Sequence, residues 1–191
     1  LRPEDCVHTL IAVHTDAGAV GLGSVFTSDA LVRASLAMLE PLYRGESALE
    51  PERVSEKLHQ HMFWIGRGGS ITHTISGIDI ALWDLSARRA GLPLWRLLGG
   101  HASRVPVYAS GINPERPGET VAGLSAAGHV AFKLKIGFGI ERDLANLNEM
   151  RAVTGDAAKL MVDANQAWSL DEALAFAPRL QPYRLAWLEE P

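Results

Sequence analysis

Cysteine is almost missing from this sequence of 191 residues. Cys6 stands alone, so no internal disulfide can staple the chain, and a buried, inert thiol is the role expected of it. Also missing is any apolar run approaching the roughly 18–20 residues that cross a bilayer. The opening Leu1-Arg2-Pro3-Glu4-Asp5 lacks the basic-then-apolar order of a signal peptide. Positive charge is not in surplus: 18 lysines and arginines face 22 aspartates and glutamates, a net charge of −4. The two signs are interspersed, so no basic run exists to track a phosphate backbone. Neither a membrane nor a nucleic acid is therefore expected as a partner, and a cytoplasmic protein is the expectation. What is present is an ordinary globular mixture, 47% hydrophobic and 21% charged, too apolar and too balanced in charge for disorder. The length suits one compact domain, or a small domain joined to part of a larger one.

The first hundred residues read as a small α+β unit. Residues 6–14 and 19–26 are strand-like runs around Asp16-Ala17-Gly18, a hairpin signal in which Gly18 supplies a positive φ. Helical stretches follow near 28–40 and 51–62, with Ser28 and Pro51 as turn or start residues. After the loop Gly66-Arg67-Gly68-Gly69, a longer helix carries the stripe Ile71, Ile75, Ile78, Leu82, Leu85, and Gly91 ends it.

The pattern then changes. Val105–Ala109, Ala131–Ile136, Lys159–Asp163 and Leu185–Glu189 read as short strands about 25 to 29 residues apart, with helices near 140–153 and 170–181 between the last three. Ser169-Leu170-Asp171-Glu172 matches a capping box and sets the start of the last helix. Strand–helix repeats of this length predict parallel strands, in either an open doubly wound sheet or a (β/α) barrel. Polar residues at the strand ends favour the barrel. Lys133 and Lys135 share one strand face while Phe132, Leu134 and Ile136 share the other. Asp163 and Asn165 lie two apart at the next strand end, and Glu189 ends the fourth strand on the face of Trp187. A purely structural account would have to explain charged groups where β-branched core residues are expected. At the C-terminal mouth of a barrel they have a chemical one. Four strands cannot close a barrel that normally needs eight, so the expectation is an α/β fold made of a small α+β domain, residues 1–100, and a partial barrel, residues 101–191.

Such a set suits removal of a proton next to a carboxylate. That step adds a second negative charge to a group already anionic, and a hard divalent cation with nearby ammonium groups offsets it. Carboxylates such as Asp163 and Glu189 suit magnesium. A lysine acting as base must be partly neutral, and a neighbouring cation such as Lys133 or the metal lowers a lysine pKa.

Phe132-Lys133-Leu134-Lys135-Ile136-Gly137, Met161-Val162-Asp163-Ala164-Asn165-Gln166 and Trp187-Leu188-Glu189-Glu190-Pro191 resemble three successive barrel motifs of the mandelate racemase and muconate-lactonizing branches of the enolase superfamily. The stretch Ser76-Gly77-Ile78-Asp79-Ile80-Ala81-Leu82-Trp83-Asp84-Leu85, leading to Gly91-Leu92-Pro93-Leu94 and Leu97-Leu98-Gly99-Gly100, resembles the segment that joins their capping domain to a modified TIM barrel. Each motif is short, but four in order at matching spacing cover nearly the whole chain. The resemblance implies Lys135 as general acid/base, Lys133 as its partner at the substrate carboxylate, and Asp163 and Glu189 as two of three ligands for magnesium. It places Asn165 beside a substrate hydroxyl, or behind the residues that touch the substrate, and gives Glu190, on the opposite face from Glu189, a supporting part. Phe63, Trp64 and Arg67 fall in a capping-domain loop, and the resemblance makes Trp64 and Arg67 substrate contacts; a plain connecting loop is the alternative. Ala87-Arg88-Arg89 departs from the Gly-Lys that often follows this helix, and is expected to be neutral.

The implied substrate is a small hydroxy or sugar acid, taken through an enediolate, and the expected protein is a homo-oligomer. Dehydration is the first outcome expected; racemisation or epimerisation, and cycloisomerisation of a sugar lactone, are the alternatives. A non-catalytic fragment is the alternative of another class, and the 191 residues alone are expected to be inactive. Gly137-Phe138-Gly139 resembles the start of a dinucleotide fingerprint, but Arg142 stands at the third glycine position. His59 and His61 lie two apart on a helix and face different ways, which argues against paired ligation. The tryptophans are expected to pack in the core and between domains.

Overall fold

The computed structural model describes residues 8–191, so Cys6 and the first two residues of the expected opening strand lie outside the described residues. The chain divides into two units, Leu1–Ala102 and Ser103–Pro191.

In the first unit, β1 (His8–His14) and β2 (Val20–Phe26) form the expected antiparallel hairpin, in register from His8↔Phe26 to His14↔Val20. Gly18 turns it at φ +78°. The sheet's inner face alternates Ile11 and Val25 with Gly21 and Gly23, and this places a helix directly on its backbone. That helix is α3 (Gly69–Ala90): a Cβ on Gly23 would sit 1.9 Å from the Gly77 carbonyl oxygen. Its stripe buries Ile75, Ile78, Leu82 and Leu85, with Ile71 partly covered, against Leu39 of α1 (Asp29–Tyr43) and Leu58 of α2 (Pro51–His61). Gly91 ends α3 at φ +63°, and the Leu92 N–H reaches back to the Ala87 carbonyl, as in a Schellman cap. The short α4 (Leu94–Leu97) completes the unit.

The second unit is a four-stranded parallel sheet, β3 (Ala109–Ile112), β4 (Ala131–Lys135), β5 (Lys159–Asp163) and β6 (Leu188–Glu189), paired in chain order. Chain order without reversal is that of a (β/α) barrel; a doubly wound sheet reverses at its switch point. The linking helices are α5 (Pro117–Ala126), α6 (Ile140–Thr154) and α7 (Leu170–Leu180). One sheet face buries Phe132, Leu134, Leu160 and Val162 against Val121 of α5 and Leu147 and Met150 of α6. The capping box forms: the Ser169 hydroxyl accepts from the Glu172 N–H, and the Glu172 carboxylate accepts from the Ser169 N–H at 2.8 Å.

Three local readings need correction. The strand expected at Val105–Ala109 lies instead at Ala109–Ile112; Val105 and Val107 are exposed, and Pro106 between them has no N–H for a ladder. The last strand shortens to Leu188–Glu189, the residues paired with Val162 and Asp163. Helix α5 was not expected, because Gly118 and Gly123 weaken its propensity; Pro117 at its first turn is its only clear start signal. Among the described residues, no helix is long and apolar enough to cross a membrane.

Candidate active site

The side chains opposite the apolar face of the second sheet gather at the C-terminal ends of β4, β5 and β6. Register does the gathering: Lys135 lies beside Asp163, and Asp163 beside Glu189. Because strand side chains alternate, burying Phe132 and Leu134 under the helices sends Lys133 and Lys135 to the other face.

Two ammonium groups and two carboxylates interlock there. The Lys133 ammonium donates to Glu189 Oε1 at 2.8 Å and lies 3.3 Å from Asp163 Oδ2. Lys135 donates to Asp163 Oδ2 at 2.6 Å and to Asn165 Oδ1 at 2.8 Å. The Asn165 N–H donates to Asp163 Oδ1 at 3.0 Å, and the Asn165 side-chain amide donates to Glu190 at 3.4 Å. Glu190 thus also belongs to the site's rim. Lys133 and Asp163 are almost fully buried, whereas Lys135 and Glu189 keep part of their surface open.

These contacts set the charges. The hydrogen bond that Lys133 donates to Glu189 holds the Lys133 pKa above the ordinary lysine value; burial opposes it and Asp163 adds to it. Burial pushes Asp163 upward, but the hydrogen bonds from Lys135, the Asn165 N–H and Lys133 outweigh it and hold the carboxyl below its ordinary value. Glu189 is lowered by Lys133 and then by Trp187. Lys133 is therefore a fixed positive charge. The backbone is strained at the same place: Asn165, Gln166 and Glu190 have φ of +47°, +62° and +42°, the left-handed region that residues with a Cβ seldom occupy.

Two aromatic side chains complete the floor, and the sequence reading did not find their role. The Trp187 indole N–H donates to Glu189 Oε2 at 3.0 Å, and the Tyr108 ring lies 5.6 Å below the Lys133 ammonium and edge-on to Trp187. Trp187 is thus partner to a site carboxylate rather than simple packing. Its position two residues before Glu189, on the same strand face, was the available signal. Tyr108 carried none, because the strand it precedes was displaced in the sequence reading.

Asp163 and Glu189 pass a simple test as cation ligands. One small cation, the Lys133 ammonium, already touches both, standing where positive charge is needed, and carboxylate oxygens are donors for a hard divalent ion. Among the described residues no group of three or more His, Cys, Asp and Glu side chains is placed to hold a metal, so this pair supplies two donors. Trp64 and Arg67 lie in the first unit, on the loop before α3. Trp64 is 89% exposed and packs edge-on to Phe63, over whose ring Arg67 stacks at 5.0 Å.

A concavity of about 1100 Å³ lies in the first unit beside β1, and none of the charged cluster lines it. Several charges around it are already paired, Arg33 with Asp29 and Glu46 with Arg53 and Lys57. The strand-end cluster, where two ammonium groups and two carboxylates converge, is the candidate site.

Comparison with known proteins agrees with this architecture. Residues 4–99 match the family model for the mandelate racemase / muconate lactonizing enzyme N-terminal domain, and residues 118–191 match that for the enolase C-terminal domain-like fold. The chain is 39% identical to a 3,6-anhydro-alpha-L-galactonate cycloisomerase of Streptomyces coelicolor, over 95% of this chain and 53% of that protein. It is 38% identical to an L-talarate/galactarate dehydratase of Salmonella typhimurium, over 71% of this chain and 37% of that protein. The structure of an L-talarate dehydratase from a Polaromonas species, complexed with Mg and L-glucarate, superposes with a TM-score of 0.80 at 33% identity, covering 96% of this chain and 54% of that one. The chain spans about half the length of the curated cycloisomerase it matches.

Proposed function

We infer the activity from one premise: the chain belongs to the mandelate racemase / muconate lactonizing enzyme family of the enolase superfamily. The reaction is removal of the proton α to the carboxylate of a small sugar acid, with Lys135 as the base. The observation that carries this reading is the interlocked set of Lys133, Lys135, Asp163, Asn165 and Glu189 at three adjacent strand ends.

Asp163 and Glu189 would hold magnesium, which when bound withdraws electron density from the substrate carboxylate. Lys133, held cationic, balances the negative charge that grows on that carboxylate as the proton leaves. Lys135 takes the α-proton on its Nζ; Asp163 and Asn165 fix its direction. The amide of Asn165 is free to meet a substrate hydroxyl once it releases its long contact with Glu190. Trp64 and Arg67, on an exposed loop, are assigned to the polar remainder of the substrate. The reading also includes a cytoplasmic setting and association with a second copy, for which the exposed Leu10, Leu22 and Phe26 on the outer hairpin face offer apolar surface.

Loss of a β-hydroxyl from the enediolate makes a dehydratase, and this is the first reading. If the β-oxygen belongs to a ring, the same electron flow opens the ring without loss of water. The cycloisomerase likeness over 95% of the chain favours that as the second reading. The test is α-proton exchange in deuterium oxide with magnesium and a sugar-acid panel, run on a chain that carries a complete barrel. Lys135→Ala should abolish exchange, at least for one configuration at that carbon, and Lys133→Ala should slow it and weaken substrate binding. Wild-type exchange in Lys135→Ala would move the base elsewhere.

A further inference from the structure

We propose that Asp143, buried in the first turns of α6, is a positioning residue for Lys135: its carboxylate ties down the backbone turn that ends β4 and so fixes where the lysine points. This rests on the reading of Lys135 as the base.

The turn has unusual demands. The last sheet bond after Lys135 runs from the Ile136 N–H to the Asp163 carbonyl, and the chain then leaves the sheet. Gly137 adopts φ +96° and Gly139 φ +106°, conformations a residue with a Cβ seldom holds. Gly137 is also wedged: a Cβ there would lie 2.6 Å from the Ala167 Cβ and 3.2 Å from the Ala164 carbonyl, on the loop that carries Asn165. The turn after one catalytic strand is therefore fitted against the turn after the next.

Two consecutive amides in this turn point away from any strand, and Asp143 receives both. Its Oδ2 accepts from the Gly137 N–H at 2.9 Å and its Oδ1 from the Phe138 N–H at 3.4 Å. Gly139 at the helix cap has no side chain to serve them, and the Asp143 N–H in turn donates to the Gly139 carbonyl at 2.9 Å. Asp143 is fully buried. Burial pushes its carboxyl pKa up, and the two N–H groups and Arg142 pull against that shift. A buried carboxylate is costly, and an exposed Ser or Asp at the cap position could close the helix more cheaply. The cost becomes intelligible if the object held is the turn rather than the helix. The same stretch of α6 holds the turn after β3: the Asn146 side chain donates to the Pro114 carbonyl at 3.1 Å, and Arg142 pairs with Glu115 at 3.0 Å.

Asp143→Ala and the near-isosteric Asp143→Asn test this, with Asn146→Ala as a control that loosens α6 without touching the β4 turn. Amide exchange of Gly137 and Phe138 should accelerate about tenfold or more in Asp143→Ala and less in Asp143→Asn, as expected for losing hydrogen bonds to a charged acceptor. The rate of Lys135 acylation by an amine reagent, mapped by mass spectrometry against Lys133, reads the lysine's position without substrate. It should rise several-fold in both Asp143 variants and stay unchanged in Asn146→Ala. With substrate, in a chain that carries a complete barrel, kcat should fall about tenfold while KM stays within about twofold, because proton transfer depends on orientation. Unchanged Lys135 acylation in both Asp143 variants, with the turn exchanging faster, would overturn the proposal. Loss of the acylation effect condemns Asp143, whereas wild-type α-proton exchange in Lys135→Ala condemns the base assignment, so the two failures are separate.

Discussion

Replacing Asp163 by asparagine tests the charge cluster and its cation role together. Asp163 is 2% exposed, accepts from Lys135 at 2.6 Å and the Asn165 N–H at 3.0 Å, and pairs with Lys133 at 3.3 Å. Removing one member of a buried ion pair usually costs about 3–5 kcal/mol, because the remaining charge is left uncompensated. Here the cost is smaller for three reasons. Lys133 keeps Glu189 at 2.8 Å, Lys135 keeps the Asn165 oxygen and some solvent, and asparagine keeps an acceptor for the Asn165 N–H. The expected loss is about 1.5–3 kcal/mol without metal, below the full penalty for an orphaned buried charge. Urea unfolding in chelator measures it. Repeating the titration with magnesium gives the second readout. The wild type should gain about 2.7 kcal/mol once magnesium exceeds its dissociation constant a hundredfold, and Asp163→Asn should gain far less. A variant within about 0.5 kcal/mol of wild type in chelator, the ordinary scatter of surface substitutions, that is still stabilised by magnesium would refute both arguments.

The metal-free protein should also show a pH signature. Asp163 and Glu189, held below their ordinary values of 3.8 and 4.5, contribute stability present above those values and lost as pH falls through the lowered ones. Lys133, held above 10.5, contributes stability present below that value and lost as pH rises through the raised one. Urea midpoints should therefore hold a plateau between these limits, and an alkaline loss unchanged in Lys133→Met would contradict the assignment. In the first unit, Gly77→Ala would set a Cβ 2.5 Å from Ile11 Cδ1 and 2.7 Å from Val25 Cγ1, both buried side chains. Overpacking of about 1–3 kcal/mol, less about 1 kcal/mol of helix propensity, should lower the melting temperature. Gly23→Ala, which meets the Gly77 carbonyl at 1.9 Å, should cost more; a rise in melting temperature for either would refute the packing.

How much of this was legible in the sequence depended on whether the signal was local. The α3 stripe, the Ser169 capping box and the alternation of Lys133 and Lys135 with Phe132 and Leu134 are decided within a few residues, and each appears where periodicity predicts. Strand alternation likewise put Asp163 and Glu189 on the lysines' face, and the register completed the cluster. What failed depended on partners far along the chain. Val105 and Val107 alternate like a strand, but only Ala109 and Ile112 find β4 to pair with. Tyr108 becomes a neighbour of Lys133 through sheet order, which no local pattern encodes, whereas Trp187 and Glu189 are only two residues apart. Asp143 reads as a common first-turn acid, and only the fold shows it buried with both oxygens turned back onto the preceding loop.

The strand that carries both lysines divides its labour by parity. Phe132 and Leu134 on one face are fully buried among the helices, and apolar burial of that kind is what holds such a unit together. The other face carries what stability alone would not choose. Buried ion pairs often do no better than apolar residues of equal volume, and left-handed φ angles at Asn165, Gln166 and Glu190 each cost of order 1–3 kcal/mol. Of the five such non-glycine positions among the described residues, these three fall together at the ends of β5 and β6, on residues touching one another, while Arg116 and Arg184 lie at helix ends elsewhere. The turns at Gly18 and Gly91 relieve the same backbone demand with glycine. Here the left-handed positions hold an amide and a carboxylate that meet at the site's rim, next to a carboxylate pair that only a cation can hold together. On the function proposed above, that strain is the cost of aiming side chains at a bound group, and the apolar face of the same strands is what offsets it.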